Sequence, residues 1–125
     1  MGLSKAAKGW RKGAIKGNAE DQYLLAGCYD YGKEGAKRDP VAAAAWYGKA
    51  ADQDHAGAQC ELGICYASGD GVQQNHELAV TFYRKAADAG YAQSQGLLGD
   101  CYAVGNGVAQ DHAVAVAWWE EAATK

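Results

Sequence analysis

One stretch of this sequence recurs almost unchanged further along the chain. LGICYASGDGV covers residues 62–72, and LGDCYAVGNGV covers residues 98–108, which gives a period of 36 residues. When residues 56–89 are aligned with residues 92–125, 16 of 34 positions are identical. A third copy begins at Ala19 and has one extra residue between its two turn glycines. A motif that occurs three times indicates a structural repeat and not a catalytic or ligand-binding loop. A period of this length is typical of helical repeat arrays.

Each copy predicts two helices that are joined by a glycine-containing turn. The first, helix A, is expected over residues 18–31, 55–68 and 91–104, and it ends at a glycine that can take the left-handed conformation of a helix stop. The second, helix B, is expected to begin after Asp39, Asn75 or Asp111, whose side chains can accept hydrogen bonds from a first turn. No Lys-Ser or Lys-Thr follows the glycines, which argues against a phosphate-binding loop.

The sequence therefore predicts an all-α fold, a solenoid of repeated helix pairs. Three full repeats are preceded by one N-terminal helix, because residues 6–17 resemble only the second half of a unit. The expected divisions of this one continuous domain are a basic half-repeat or capping helix over 1–17 and repeats over 18–54, 55–90 and 91–125. The last helix B is expected to be uncapped on its outer side, so either the chain is a fragment of a longer array or that side pairs with another copy.

The formal net charge of −3 is unevenly distributed along the chain. Residues 1–17 carry +5 and no acid, so the rest of the chain carries −8. An acidic body is unfavourable for nucleic acid, whose phosphates need a basic surface, and we interpret the short basic run as a solvated helix face. No apolar run has the length of a membrane span or of the apolar stretch of a signal peptide.

The four cysteines and three histidines are interpreted as structural. Cys28, Cys65 and Cys101 fall at equivalent positions of successive units. Neighbouring helix axes lie about 8–10 Å apart, whereas a disulfide needs Cα atoms within about 7 Å. No Cys-x-x-Cys pair is present, so no metal and no cofactor is predicted. Reduced thiols and the lack of a signal peptide predict a cytoplasmic location, with a secreted or periplasmic one as the alternative for a processed fragment. The histidines at expected helix starts are His55, His76 and His112.

The repeated positions resemble the Sel1-like repeat, a 36-residue relative of the tetratricopeptide repeat. The pattern is Ala-x-x-Gln-x-x-Leu-Gly-x-x-Tyr, then Gly-x-Gly-Val, a capping residue, Ala, an aromatic pair and Lys-Ala-Ala. ELGICYASGDGVQQNHELAVTFYRKAADAG fits this pattern nearly throughout, and the resemblance covers residues 19–125. It departs in the insertion of the first unit and in Glu120-Glu121, which replace Arg84-Lys85. The resemblance implies a right-handed α/α superhelix of antiparallel helix pairs that acts as an adaptor for other proteins.

Comparison of the units divides helix A into two arcs. Positions that match, such as Gln22, Leu25 and Tyr29, are those that every unit needs in order to stack. Positions that differ lie on the opposite arc and are expected to be free of stacking contacts. In the resembled family this arc lines the concave groove. The predicted partner-binding residues on the concave face are Glu20, Tyr23, Leu24, Tyr31, Glu61, Ile64, Gln93, Leu97, Asp100 and Val104. The same arc contains Asp30, Gly57 and Cys60, which the predicted site omits.

These features predict a non-catalytic protein–protein interaction adaptor or scaffold, with no catalytic residue. Its partner is expected to be a protein or peptide with basic and apolar residues that binds the concave face. No nucleic-acid partner and no membrane span are predicted. One alternative is a self-assembling structural segment of a longer array, which would associate through its uncapped C-terminal helix. The other is a cysteine- or metal-dependent hydrolase, for which the sequence offers no converging set of polar side chains.

Overall fold

The computed structural model describes residues 2–125, which form seven α-helices joined by short turns. In chain order these are α1 (Lys5–Ile15), α2 (Ala19–Tyr31), α3 (Pro40–Ala51), α4 (Ala56–Ser68), α5 (His76–Asp88), α6 (Ala92–Val104) and α7 (His112–Ala123). Each helix packs on the next, most extensively α2 on α3, α4 on α5 and α6 on α7. The result is three antiparallel pairs after one N-terminal helix, which confirms the predicted all-α repeat fold.

We call α2, α4 and α6 the A helices, and α3, α5 and α7 the B helices. Every B helix begins after a capping side chain, because Asp39, Asn75 and Asp111 each accept a hydrogen bond of 3.0–3.1 Å from the N–H three residues later. Such a bond satisfies one of the donors that a first turn leaves free. Pro40 occupies the first position of α3, where no N–H is needed. The predicted starts of the B helices are confirmed.

The A helices end where the sequence predicts. Each is followed by a glycine in the left-handed conformation, whose N–H bonds to the carbonyl four residues earlier. At their starts, the first residue of each predicted span is the cap and not part of the helix. None of the helices in residues 2–125 is long and apolar enough to cross a membrane.

The interior consists largely of alanine, with larger side chains at a few repeated positions. Leu25 and Leu98 are fully buried on the A helices. Tyr47 and Tyr83, which share one position of successive B helices, are 2% and 4% exposed. Alanine loses no side-chain entropy on folding and lets neighbouring helices approach closely, so the helix pairs can stack tightly.

A buried glutamine ties each A helix to the helix before it. The side-chain amides of Gln22, Gln59 and Gln95 donate hydrogen bonds of 3.2, 3.4 and 3.1 Å to the backbone carbonyl eight residues earlier. These carbonyls lie at the ends of α1, α3 and α5. The repetition of the sequence is therefore a repetition of the same contact.

The second glycine of each turn lies against the backbone of the preceding helix start. In the second unit this is Gly71, which has φ of +82° and whose missing Cβ would overlap the backbone carbonyl of Pro40. Gly35 and Gly107 make the same approach to the carbonyls of Gly2 and His76. The turns between A and B helices are thus also contacts between consecutive units.

Candidate functional site

All ten residues of the predicted concave face lie on the A helices, and none of them is fully buried. Five are exposed to solvent, namely Glu20, Tyr31, Gln93, Asp100 and Val104. Five are partly buried, namely Tyr23, Leu24, Glu61, Ile64 and Leu97. The structure therefore leaves each of these side chains at least partly accessible, but several of them also make contacts within the chain.

His55 links the first two units through Glu20 and Tyr23. Its Nδ1 accepts a hydrogen bond of 3.0 Å from the N–H of Ala58 and so caps α4. Its Nε2 lies 2.6 Å from Glu20 Oε2, and its ring stacks on Tyr23 with 4.6 Å between centroids. Because Nδ1 accepts a hydrogen bond here, a neutral His55 carries its proton on Nε2, and this N–H donates a hydrogen bond to Glu20. Glu20 and Tyr23 thus help to hold α4 against α2.

Two further positions on the same arc are buried. Cys60 is 0% exposed, and Gly57 is packed so that a Cβ would stand 3.1 Å from the ring of His55. A Cβ at Gly57 would also stand 3.2 Å from the Tyr23 ring of the preceding unit, so the expectation that this arc is free of stacking contacts is wrong at Glu20, Tyr23 and Gly57. The physical reason is that a side chain unique to one unit can contact a side chain unique to its neighbour.

Two carboxylates and three tyrosines gather where α2, α3 and α4 meet. We call Tyr23, Asp30, Tyr31, Tyr47 and Glu61 the tyrosine–acid cluster. The hydroxyl of Tyr47 donates a hydrogen bond of 3.1 Å to Asp30 Oδ2. The rings of Tyr23 and Tyr47 are 5.9 Å apart and tilted by 54°. Tyr31, the last residue of α2, is exposed beside this group.

The two carboxylates of the cluster raise the pKa values of their neighbours. Burial, reinforced by the Asp30 carboxylate, raises the pKa of the Glu61 carboxyl. The Glu61 carboxylate, followed by burial, raises the pKa of Tyr31, while burial and then Asp30 raise the pKa of Tyr47. Within residues 2–125, neither Asp30 nor Glu61 forms an ion pair. Two cations of the chain lie at its edge: Arg38 Nε donates a hydrogen bond of 3.0 Å to the backbone carbonyl of Asp30, and the Lys33 ammonium lies 5.4 Å from the centroid of the Tyr31 ring. The cluster thus contains two carboxylates without an ion pair, bordered by aromatic rings.

The part of the predicted site on α6 is more apolar. Leu97, Asp100 and Val104 line a cleft of about 150 Å³ between α4, α5 and α6. Asp100 Oδ1 accepts a hydrogen bond of 3.0 Å from the indole N–H of Trp119 on α7. Ile64 and Leu97 pack against the core cluster around Tyr83 and Leu98. The structure brings these predicted residues together, although two of them also support the core.

The predicted partner-binding residues omit three residues of the site, namely His55, Tyr47 and Asp30. His55 is predicted only to lie at a helix start, yet it aligns with the cap Asn18, which signals a capping role. Tyr47 donates to Asp30, and Trp119 at the same position of α7 donates to Asp100, but the two carboxylates stand at different positions of their A helices, so comparison of the units does not predict the bond. Asp30 lies on the predicted arc, but its position is occupied by alanine in the second and third units.

The cysteine thiols are not activated for chemistry. All four cysteines are free, and burial raises the pKa of Cys60 and of Cys65 to about 12. Burial also raises the pKa of Cys28 and Cys101. The thiolate is the nucleophilic form of cysteine, so raised pKa values make these groups poor nucleophiles at neutral pH. In the part of the chain that the structure describes, no three His, Cys, Asp or Glu side chains are grouped to hold a metal ion.

Comparison with known proteins supports the repeat fold. The chain matches the Sel1 repeat family three times, at residues 19–55, 56–91 and 92–125. No curated protein matches the sequence significantly. Among solved structures, a Sel1 repeat protein from Oxalobacter formigenes superimposes with a TM-score of 0.89 at 34% identity, and the match covers 99% of this chain and 97% of that one.

Two further structures share the fold. A protective antigen present in uropathogenic Escherichia coli strains, which displays an SLR fold, has a TM-score of 0.89 and 37% identity over 94% of this chain. This chain spans only 25% of that antigen. The cysteine rich protein B of Helicobacter pylori has a TM-score of 0.73 at 22% identity, over 94% of this chain and 89% of that one, a likeness that shows the fold alone. With three consecutive matches from residue 19 to its last residue, the chain belongs to the Sel1 repeat family.

Proposed function

We propose that this chain is a non-catalytic interaction module that binds a basic protein or peptide segment on the concave face of its A helices. Sel1-like repeats generally mediate protein interactions. The observation that carries the proposal is the tyrosine–acid cluster, in which the Asp30 and Glu61 carboxylates form no ion pair within residues 2–125. A lysine or arginine side chain of the partner would supply the missing charge.

The chemistry of the cluster favours a cation over other ligands. Glu61 is partly withdrawn from water, so an opposite charge would interact with it more strongly than with a fully solvated carboxylate. The ring of Tyr31 borders the carboxylates, and the Lys33 ammonium already lies 5.4 Å from its centroid. A cation of the partner would take the other face of this ring or displace Lys33, and a cation over an aromatic face gains about 0.5–2 kcal/mol. A cationic side chain could therefore engage a carboxylate and a ring at the same time.

The apolar part of the face supplies a second contact. Val104 is 70% exposed and lines the cleft beside Leu97. An apolar side chain of the same partner, a few residues from its lysine or arginine, would fit this surface. The expected ligand thus combines a basic residue at α2 and α4 with an apolar residue at α6.

The charge requirement is tested by selecting peptides from a random library with the intact chain and measuring their affinities. Selected peptides should be enriched in lysine or arginine beside apolar residues. Glu61→Arg should weaken their binding at least about tenfold, and higher salt should weaken binding to the parent chain. Glu77→Arg, at an exposed site on α5, is the matched control and should change affinity less than about twofold. Selection of acidic peptides, or unchanged binding by Glu61→Arg, would contradict the proposal.

The apolar contact needs a substitution that spares the core. Ile64 and Leu97 are unsuitable because both pack against the core, and a charge there would also lower stability. Val104→Glu avoids this difficulty and should weaken the selected peptides several-fold. Val41, which is 67% exposed on α3, is the matched site, and Val41→Glu should leave affinity unchanged. Equal losses in the two variants would exclude the α6 contact.

A second candidate function, self-association, is favoured by the outer side of α7. Tyr47 and Tyr83 are covered by the A helix that follows them, whereas Trp119, at the same position of α7, is 40% exposed. Val116 is exposed beside it, although Ala44 and Val80 at its position are buried. Two copies could cover this side for each other. Sedimentation that shows a monomer at every concentration would count against this candidate, and dimers that Val116→Lys dissociates would support it.

The cysteines bear on where this module works. Four free thiols, three of them buried, fit a reducing compartment such as the cytoplasm. Alkylation in denaturant without reductant, applied to the protein taken from its source cells, should therefore modify four thiols. Modification of two or fewer would favour the secreted or periplasmic alternative.

A further inference from the structure

Gln95 holds a polar atom that the fold leaves unsatisfied. Its side chain is 2% exposed, and its Nε2 donates to the carbonyl of Ala87. Its Oε1 is the one buried side-chain oxygen or nitrogen, within residues 2–125, that has no hydrogen-bond partner. Buried acceptors are nearly always paired, because leaving one unpaired costs about 1–3 kcal/mol. The unpaired oxygen therefore marks a place where a donor is expected.

Gln95 lines a cleft between the end of α5 and α7. This cleft has a volume of about 420 Å³. Its lining residues are Ala87, Asp88, Gly90, Gln95, Ala117, Trp118 and Glu121. The indole of Trp118 forms an aromatic wall, and Gly90 contributes backbone. The cleft is thus large enough for a side chain and contains a flat apolar surface next to the free acceptor.

The first unit shows which group completes this arrangement. Gln22, the equivalent of Gln95, accepts a hydrogen bond of 3.0 Å at Oε1 from the carboxamide Nε2 of Gln53. The same Nε2 donates a bond of 2.9 Å to the carbonyl of Gly17. Gly90 is the equivalent of Gly17, with φ of +89° against +99°. The pair of acceptors that a carboxamide bridges in the first unit therefore recurs beside the cleft in the third.

The third unit lacks the side chain that fills the site in the first. Lys125 stands at the position of Gln53, and its alkyl chain passes over Gly90. Its ammonium group bonds to Glu121 Oε1 at 3.0 Å and not to Gln95. An ammonium at the mouth of the cleft thus prefers the carboxylate, which leaves the acceptor pair for a neutral donor.

We propose that the cleft lined by Gln95, Gly90 and Trp118 is a binding site for a primary carboxamide, the side chain of a glutamine or asparagine on a partner polypeptide. The amide N–H₂ donates to Gln95 Oε1 and to the Gly90 carbonyl, and the plane of the amide lies against Trp118. This site shares no residue with the tyrosine–acid cluster, so the two can be tested separately.

The test is a titration of the full chain, followed by ¹H–¹⁵N NMR, with N-acetylglutamine methylamide as the probe. The side-chain amide of Gln95 and the indole N–H of Trp118 are the reporting signals. Both should shift in a saturable way as probe is added. N-acetylmethionine methylamide has a side chain of similar length without the primary carboxamide, and it should bind at least about tenfold more weakly. N-acetyl-lysine methylamide tests the ammonium alternative and should also bind at least about tenfold more weakly.

A variant that fills its own site completes the design. Lys125→Gln restores the residue of the first unit, so it should shift the Gln95 signal without probe and weaken probe binding at least about tenfold. Lys5→Gln, an exposed change on α1, is the control and should bind as the parent chain does. Equal responses to the glutamine and methionine probes, equal responses to the glutamine and lysine probes, or unchanged binding by Lys125→Gln would each overturn the proposal.

Discussion

His55 and Asn18 occupy equivalent positions in successive units, and each caps the A helix that follows with a different atom. Asn18 uses Oδ1, which accepts a 2.9 Å bond from the N–H of Asp21, and His55 uses Nδ1, which accepts from Ala58. His55 does more than Asn18 because its other nitrogen holds Glu20. One residue therefore serves both a helix start and the junction between units.

The double role of His55 predicts a graded response to substitution. His55→Ala removes the cap, the bond to Glu20 and the stack on Tyr23, so we expect it to lower the free energy of unfolding by about 1–2 kcal/mol. His55→Asn restores the cap alone and should cost only about half as much. Urea unfolding at neutral pH measures both. Equal losses in the two variants would mean that the cap contributes nothing.

The hydrogen bond between Tyr47 and Asp30 predicts a difference between two buried tyrosines. Tyr47→Phe leaves Asp30 without this donor and should cost about 1–2 kcal/mol of unfolding free energy. Tyr83 is as deeply buried, but its hydroxyl bonds to no other described residue, so Tyr83→Phe should change stability by less than about 0.5 kcal/mol. Thermal or urea unfolding of the pair decides the matter, and a larger loss in Tyr83→Phe would contradict the assignment.

The raised pKa of Glu61 predicts how stability depends on pH. The folded chain binds this proton more tightly than the unfolded chain, so the contribution of Glu61 to stability is full below its ordinary pKa and is lost as pH rises through the raised pKa. Glu61→Gln removes the charge while keeping the shape. We expect the variant to be more stable than the parent at neutral pH and equally stable below about pH 4. Urea unfolding across this pH range tests it, and a constant difference at every pH would exclude the titration.

The turn glycines predict opposite signs for two similar changes. Gly71→Ala places a Cβ against the Pro40 carbonyl at positive φ and should destabilise the chain by about 1–3 kcal/mol. Gly48→Ala, inside α3 with open space around it, should instead stabilise it by about 0.5–1 kcal/mol. Calorimetric melting temperatures of the two variants should therefore move in opposite directions. A lower melting temperature for Gly48→Ala would show that its surroundings are tighter than they are in the structure.

The fold was predictable because its determinants are local and occur three times. Caps such as Asp39 and Asn75 fix helix starts through their own backbone, and a glycine after each A helix fixes its end. Repetition then removes ambiguity, since a position that matches in all units must serve the stack. The register of the helices therefore follows from the sequence to within a residue.

The site was predictable only in part, because its contacts join residues that do not repeat. Glu20, Tyr23 and His55 each differ from their equivalents, yet they fit one another across the junction of the first two units. Positions that differ between units are expected to be free surface, so contacts among such residues cannot be recognised from the repeat pattern. Only the three-dimensional arrangement shows that Asp30 and Glu61 lie in one cluster and that neither carboxylate forms an ion pair.

The close approach of Gly71 to Pro40 has a consequence for how such chains can change. The contact limits how closely the turn before α5 can approach the start of α3, and we expect this spacing to affect the curvature of the stack and the width of the proposed binding face. A substitution in a turn, remote from every groove residue, could thus alter the span of ligand that the groove admits. On the proposed binding face, specificity could therefore change through substitutions in the turns while the side chains of that face stay the same.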